Sequence, residues 1–275
     1  MTHRVLETGT DDLLAEIDRG VAVLTMNRPE RRNALSDAML EGMAAALAVC
    51  EADREVGCVV LTGAGGAFCA GGDVKGFAER VARGPSQTPV HERIERQRRL
   101  QRATAGRLHA MAKPTIACVE GAAAGAGLGL ALACDLRVAS DAGVFVTSFA
   151  RVGLSGDYGA TWFLTRMLGK AKAMELLLFS PRMTAAQASE AGLVNRVVPA
   201  GEALEAALDW GRTLAAGPSI AMGAIKGNVL RAVDGDLLTC MDLEVNEMMR
   251  CGETADHAAA VAAFAAKETP VFEGR

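Results

Sequence analysis

Aromatic side chains make up only 4% of the 275 residues, with a single tyrosine, Tyr158. So few π faces argue against a base-stacking platform for nucleic acid. An excess of positive charge is also missing. The 29 Lys and Arg against 33 Asp and Glu give a net charge of −4, which disfavours a general binder of nucleic acid or anionic membrane. The longest apolar run, residues 121–134, is glycine-rich and too short to span a bilayer. The opening segment MTHRVLETGTDDLL has no apolar signal region. Seven cysteines form no C-x-x-C pair and lie mostly in apolar runs, as expected of buried thiols in a reducing compartment rather than disulfides or a zinc knuckle. No cluster of His, Cys and carboxylates has metal-ligand spacing. A cytoplasmic protein with no metal site is expected.

What remains is globular composition, half apolar and 23% charged. LLAEI and VAVLTMN, within 13–27, read as strands turned at Asp18-Arg19-Gly20. Residues 36–53 read as an amphipathic helix capped by Ser36. GCVVLTG (57–63) and TIACVEG (115–121) suit buried strands of a parallel sheet. Helices are expected near 74–83 and 90–112, with a loop at 84–89 between them, and CDLRVAS and GVFVTS add two strands. After 157 the chain reads as helices at 158–180, 184–191, 202–216, 219–232, 236–250 and 254–267, with a strand at 195–199. Strands alternating with helices, followed by a run of helices, indicate an α/β core with a helical C-terminal region.

Two glycine-rich stretches, LTGAGGAFCAGGDVK (61–75) and VEGAAAGAGLGLALACD (119–135), each follow a buried strand and open a helix, so backbone N–H groups are left pointing into one place. Neither fits G-x-G-x-x-G, because Phe68 and Leu130 stand at the third glycine. MLGKA (167–171) lacks the upstream glycine and the Ser/Thr of a P-loop. Tight strand-to-helix packing would explain either stretch alone.

Taken in order with NRPERRNAL (27–35), GLSGDYGATWFLTRMLG (153–169) and AGLVNRVVP (191–199), the two stretches resemble the enoyl-CoA hydratase/isomerase (crotonase) superfamily over essentially the whole chain. The resemblance implies a crotonase-like ββα spiral core, here placed at 1–199, and a helical oligomerisation region at 200–275. It also implies a homotrimer or hexamer. The expected substrate is an acyl-CoA thioester, with coenzyme A as part of the substrate and no separate cofactor. By motif position, the backbone N–H groups of Ala70 and Ala126 would form an oxyanion hole for the thioester carbonyl. Arg31, Arg32, Ala34, Gly71, Gly72, Asp73 and Val74 fall where the family cradles nucleotide and pantetheine. Lys226 and Lys267 fall where basic residues meet CoA phosphates.

Family hydratases hold a water between two glutamates; the corresponding positions here are Gly129 and Phe149, which cannot move a proton. One carboxylate remains, in GLSGDYGATW. This block resembles that of the 1,2-epoxyphenylacetyl-CoA isomerase-like members, whose aspartate moves the proton, so Asp157 is the expected shuttle. Its alternative role is a helix N-cap. Phe149 would help exclude water, and Tyr158 would line the pocket or orient a ligand. His91 and His109 read as surface groups, Cys69 as packing, and Glu120 as a polar residue with no proton-transfer role. The arginines of 93–107 read as a solvated face.

A double-bond isomerase is the leading expectation. A hydratase, a dehalogenase, a decarboxylase, a thioesterase or a CoA-ester binder with little catalysis are the alternatives. The stretch 76–112, which carries much of the acyl pocket in the family, has no readable signature.

Overall fold

The expected hairpin turns at Arg19 and Gly20, both with positive φ (47° and 80°), the twist that two-residue turns need. It joins β2 (Leu13–Asp18) to β3 (Val21–Met26), with Asp18 opposite Val21. A strand the sequence did not suggest, β1 (Arg4–Leu6), pairs antiparallel with β2. Beyond β3 the sheet is parallel, through β4 (Cys58–Gly63), β5 (Thr115–Val119), β7 (Leu136–Ser140) and β10 (Arg196–Val198). Its order is β1-β2-β3-β4-β5-β7-β10. A smaller sheet holds β6 (Ala122–Ala124), β8 (Val144–Val146) and β9 (Met183–Thr184). This computed structural model describes residues 3–274 except 74, 75, 77–81, 83 and 85. Most of the helix expected at 74–83 lies outside the described residues.

Helices cover both faces of the large sheet. On one face lies α1 (Asp37–Ala52), started by Ser36, whose hydroxyl accepts the Met39 N–H at 3.1 Å. Met39, Met43 and Leu47 bury against Leu24 and Leu61 in the main core. The expected helix 90–112 is α2 (Val90–Gln101), a π turn (Arg102–Gly106) and α3 (Arg107–Ala110). Next come α4 (Ala126–Ala133), α5 (Ala160–Phe179), broken at positive-φ Gly169, and α6 (Ala185–Glu190).

The boundary expected after 199 is corrected. Strands β3, β4 and β5 turn Val21, Val60 and Ile116 to the second face, and α7 (Ala203–Ala215) covers them with Ala203, Ala206 and Ala207. A parallel sheet needs both faces covered, so α7 belongs to the core. The helical extension begins with α8 (Ser219–Ala232) and continues through α9 (Leu237–Gly252) and α10 (Ala255–Ala266). No residue of α8 or α9 is buried within the chain. Among the described residues no helix is long and apolar enough to cross a membrane. The loops after β4 and β5 leave the carboxyl ends of parallel strands, where open α/β sheets place their crevices.

Candidate active site

Asn33 holds the first glycine-rich loop. Buried and at positive φ (56°), it donates from Nδ2 to the carbonyls of Ala64 and Ala67, both at 2.8 Å, and accepts the Arg28 N–H at 2.9 Å. The loop is sewn to β6 by reciprocal 2.9 Å bonds, Cys69 N–H to Ala122 O and Ala124 N–H to Cys69 O. Gly71 has φ +87°, and a Cβ there would fall 2.6 Å from Ala124 O and 3.4 Å from Ala126 N. Only glycine permits that approach, and it sets the Gly71–Gly72 peptide against the start of α4.

Ala126 is the first residue of α4, and no side chain caps this end. Its N–H and that of Gly72 have no hydrogen-bond partner among the described residues, and both residues line one cavity of about 340 Å³. Ala70 lines the cavity too, but its N–H donates to Arg32 O at 2.9 Å. The expected pairing of Ala70 with Ala126 as donors is therefore corrected. The Ala70 N–H fastens the loop to the Arg32 turn, and Gly72 carries the free donor beside Ala126.

Asp157 reaches the same cavity. Its Oδ1 accepts the Tyr158 N–H at 2.8 Å, and Gln97 Nε2 donates to Oδ2 at 3.0 Å and to Oδ1 at 3.3 Å. Gln101 Nε2 also donates to Oδ1. The side chain does not cap α5, whose N-cap is Gly159; only the Asp157 carbonyl accepts from Ala160 N–H, at 3.0 Å. Burial pushes the carboxyl above its ordinary value, opposed by the Tyr158 N–H and the Gln97 amide.

Two other carboxylates line the cavity. A hydrogen bond from Gly76 N–H, with further help from Arg28 and Arg31, holds Asp73 below the usual range; the two guanidiniums lie at 3.3 and 3.8 Å. Asp37 is paired with Arg96 at 2.6 Å. Asp157 alone of the three has no cation partner among the described residues. Sequence reasoning missed Gln97 and Gln101; their i,i+4 spacing on α2 places them on one face, the one signal that could have found them.

Of the two positions matched to hydratase glutamates, Gly129 has no room for a side chain and Phe149 is apolar. On Gly129 of α4 a Cβ would lie 2.9 Å from both Tyr158 Cβ and Tyr158 O and 3.2 Å from Asp157 O. Phe149 is buried and forms cavity wall. Tyr158, also wall, sits at positive φ (48°) and is 2% exposed. Burial, followed by the neighbouring Asp157, raises its phenol far above the ordinary value.

Several expected contacts lie elsewhere. Lys226 is corrected from a CoA contact to a structural cation. Its ammonium, on a side chain 9% exposed, pairs with Asp135 at 2.8 Å and donates to Leu108 O and Lys113 O at 3.1 and 3.2 Å. Lys267 is exposed at the end of α10 and does not line the cavity. Ala34 is buried, its carbonyl accepting from Arg28 Nη1 at 2.6 Å, and Arg31 faces Asp73; Arg32 is exposed. Val74 lies outside the described residues.

His109 is not a surface group. It packs edge-on to Trp162 and Phe163, with centroids 5.2 and 5.3 Å away, and burial lowers its pKa. Burial pushes the Cys69 thiol up to about 12, so it is no thiolate nucleophile. Glu120 holds the start of α7, accepting N–H bonds from Gly201 and Ala203 at 3.1 and 2.9 Å.

Comparison with known proteins places the chain in a family. The family model described as enoyl-CoA hydratase/isomerase matches residues 16–275. The 1,2-epoxyphenylacetyl-CoA isomerase of Escherichia coli K12 is 37% identical over 264 residues, covering 96% of this chain and 98% of the relative. A probable enoyl-CoA hydratase of Rhodobacter capsulatus is 38% identical, covering 94% of this chain and 97% of the relative. The crystal structure of an enoyl-CoA hydratase from Polaromonas sp. JS666 superposes with a TM-score of 0.88 at 35% identity, covering 94% of this chain and 99% of that one. With a family match that runs nearly end to end, and a cavity at the glycine-rich loops lined by both Gly72 and Ala126, the chain is a member of the enoyl-CoA hydratase/isomerase family.

Proposed function

We propose that the protein moves a double bond in an enoyl-CoA thioester, with Asp157 as the single proton carrier. The thioester oxygen sits between the N–H groups of Gly72 and Ala126. Asp157 takes a proton from the α carbon of a β,γ-unsaturated substrate, and the electron pair delocalises into a dienolate whose oxygen charge the two donors hold. The protonated carboxyl then returns the proton to the γ carbon, giving the α,β-unsaturated product and regenerating the carboxylate. Nothing is added or lost, and no bound water takes part. Coenzyme A enters as part of the substrate.

The observation that carries this reading is that Asp157, alone of the cavity's carboxylates in having no cation partner among the described residues, lines the same cavity as Gly72 and Ala126. Closure of the Gly129 slot by the Asp157–Tyr158 backbone counts against hydration, which needs a second carboxylate to hold water.

The extension supports assembly into a trimer or hexamer. On α9 the side chains of Leu237, Leu238, Met241, Val245, Met248 and Met249 are all exposed, and an apolar stripe of that length calls for a partner surface. Of the cations expected to meet CoA phosphates, Lys267 and Arg32 are exposed and could do so, in one chain or across the assembly. The test is a panel of 2-enoyl- and 3-enoyl-CoA thioesters, with products identified by mass and NMR. Isomerisation of 3-enoyl substrates with little hydration of 2-enoyl substrates is the expected result, and rapid hydration would overturn it.

A further inference from the structure

We propose that Gln97 and Gln101 form an amide clamp that fixes the plane of the Asp157 carboxylate and leaves Oδ2 as the oxygen that carries the proton. The inference rests on the isomerase reading above and makes both glutamines positioning residues. They lie one turn apart on α2, so their amides converge on one carboxylate. The donors are unevenly shared. Oδ1 accepts from Tyr158 N–H at 2.8 Å, from Gln101, and from Gln97 at 3.3 Å; among the described residues Oδ2 accepts only from Gln97, at 3.0 Å. Oδ1 is thus the anchored oxygen, and Oδ2 keeps a lone pair open for a carbon-bound proton.

The clamp is itself held in place. Arg96, next to Gln97, bonds Asp37 at 2.6 Å and Glu41 at 2.9 Å on α1, and α1 contributes Asp37 and Leu40 to the cavity wall. Neutral amides suit the task. An arginine or lysine beside Asp157 would lower its pKa by roughly 1–3 units and weaken it as a base, whereas an amide orients the anion without a full charge. Among the described residues, the other titratable and charged groups of the cavity are already committed. Asp37 is paired with Arg96, Asp73 with Arg28 and Arg31, and Tyr158 and Cys69 are kept protonated by burial. Among the described residues, burial, the Tyr158 N–H and the glutamine amides set how Asp157 titrates.

The test is the Gln97→Met/Gln101→Met double variant of the full chain, which keeps side-chain length and removes the donors. The Asp157 carboxyl band is followed by infrared pH titration, with Asp157→Asn as the subtraction blank. The acid limb of kcat/KM for a 3-enoyl-CoA is measured in parallel. Loss of donors to the anion should raise both midpoints by roughly 1–2 units, with binding of an unreactive acyl-CoA thioester unchanged. An unmoved midpoint in the folded double variant overturns the clamp. If the double variant fails to fold, the single variants Gln97→Met and Gln101→Met are titrated, and unmoved midpoints in both overturn it. The two readings fail separately. An Asp157→Asn protein that still isomerises overturns the isomerase reading, whereas an inactive Asp157→Asn protein with an unmoved midpoint in the clamp variants overturns the clamp alone.

Discussion

Gly129 and Tyr158 are packed so closely that a single added carbon on the glycine would lie 2.9 Å from the tyrosine's carbonyl oxygen. The contact is with backbone, so it cannot be relieved by a rotamer change, and the backbone in question carries Asp157. Putting the glutamates back should therefore not make a hydratase. Gly129→Glu/Phe149→Glu should hydrate 2-enoyl-CoA no faster than the parent. Even Gly129→Ala should cost about 1–3 kcal/mol of stability, as overpacking typically does, read from chemical denaturation. It should lower isomerisation as well, by shifting the Asp157 loop. A stable Gly129→Ala enzyme with parental kinetics would show that the loop yields freely.

The oxyanion donors can be tested one at a time. Ala126 is the first residue of α4, a position where proline is tolerated because its missing N–H had no helical partner. Ala126→Pro should lower kcat by about 10²–10³-fold, the usual worth of one such donor, with folding followed by circular dichroism. A folded variant with normal turnover would place the carbonyl elsewhere. Ala70→Pro should act differently, because it breaks the bond to Arg32 O and so loosens the loop, with the loss appearing first as a lower Tm.

Much of the fold was legible because its signals are local. The β-branched, largely buried strands at 58–63 and 115–119, the Ser36 cap and the C-terminal helices follow from periodicity and capping chemistry. Strands β1 and β9 were not, since each is too short to show alternation and exists only through its partner. The same distinction holds at the site. The motif around Asp157 marked the carboxylate, but no motif shows which N–H in Ala70-Gly71-Gly72 points into the cavity. That depends on register against Arg32 and β6, a tertiary fact. Gln97 and Gln101 stayed hidden among arginines, because their meaning comes from what α2 packs against.

Lys226 gives a prediction that separates structure from binding. With Asp135 and two carbonyls around a nearly buried ammonium, Lys226→Met leaves a half-buried carboxylate without its cation. Breaking a buried pair in this way typically costs about 3 kcal/mol or more. Urea denaturation should show the loss, while CoA binding by calorimetry stays as in the parent. A weaker CoA affinity at unchanged stability would return Lys226 to the nucleotide site.

Asp157→Asn bears on both stability and activity. Burial raises the folded-state pKa of Asp157 above its ordinary value, so between the unfolded and folded pKa values the native state binds more protons than the unfolded one. By linkage, stability then falls as pH rises through that window, and the penalty persists at neutral pH. Asparagine removes the desolvated charge, so the variant should melt at a higher temperature than the parent at pH 7. That advantage should vanish below the unfolded-state pKa, where the parent carboxyl is neutral in both states. Turnover should move in the opposite direction. Losing the only base should cut kcat on a 3-enoyl-CoA by about 10²–10⁴-fold, and the parent's own acid limb should lie above the ordinary carboxylate range. Thermal melts at several pH values, run beside the kinetics, check both halves. A variant that is less stable at neutral pH would mean that Asp157 is kept for packing, and a variant that turns over normally would mean that the proton is carried by another group.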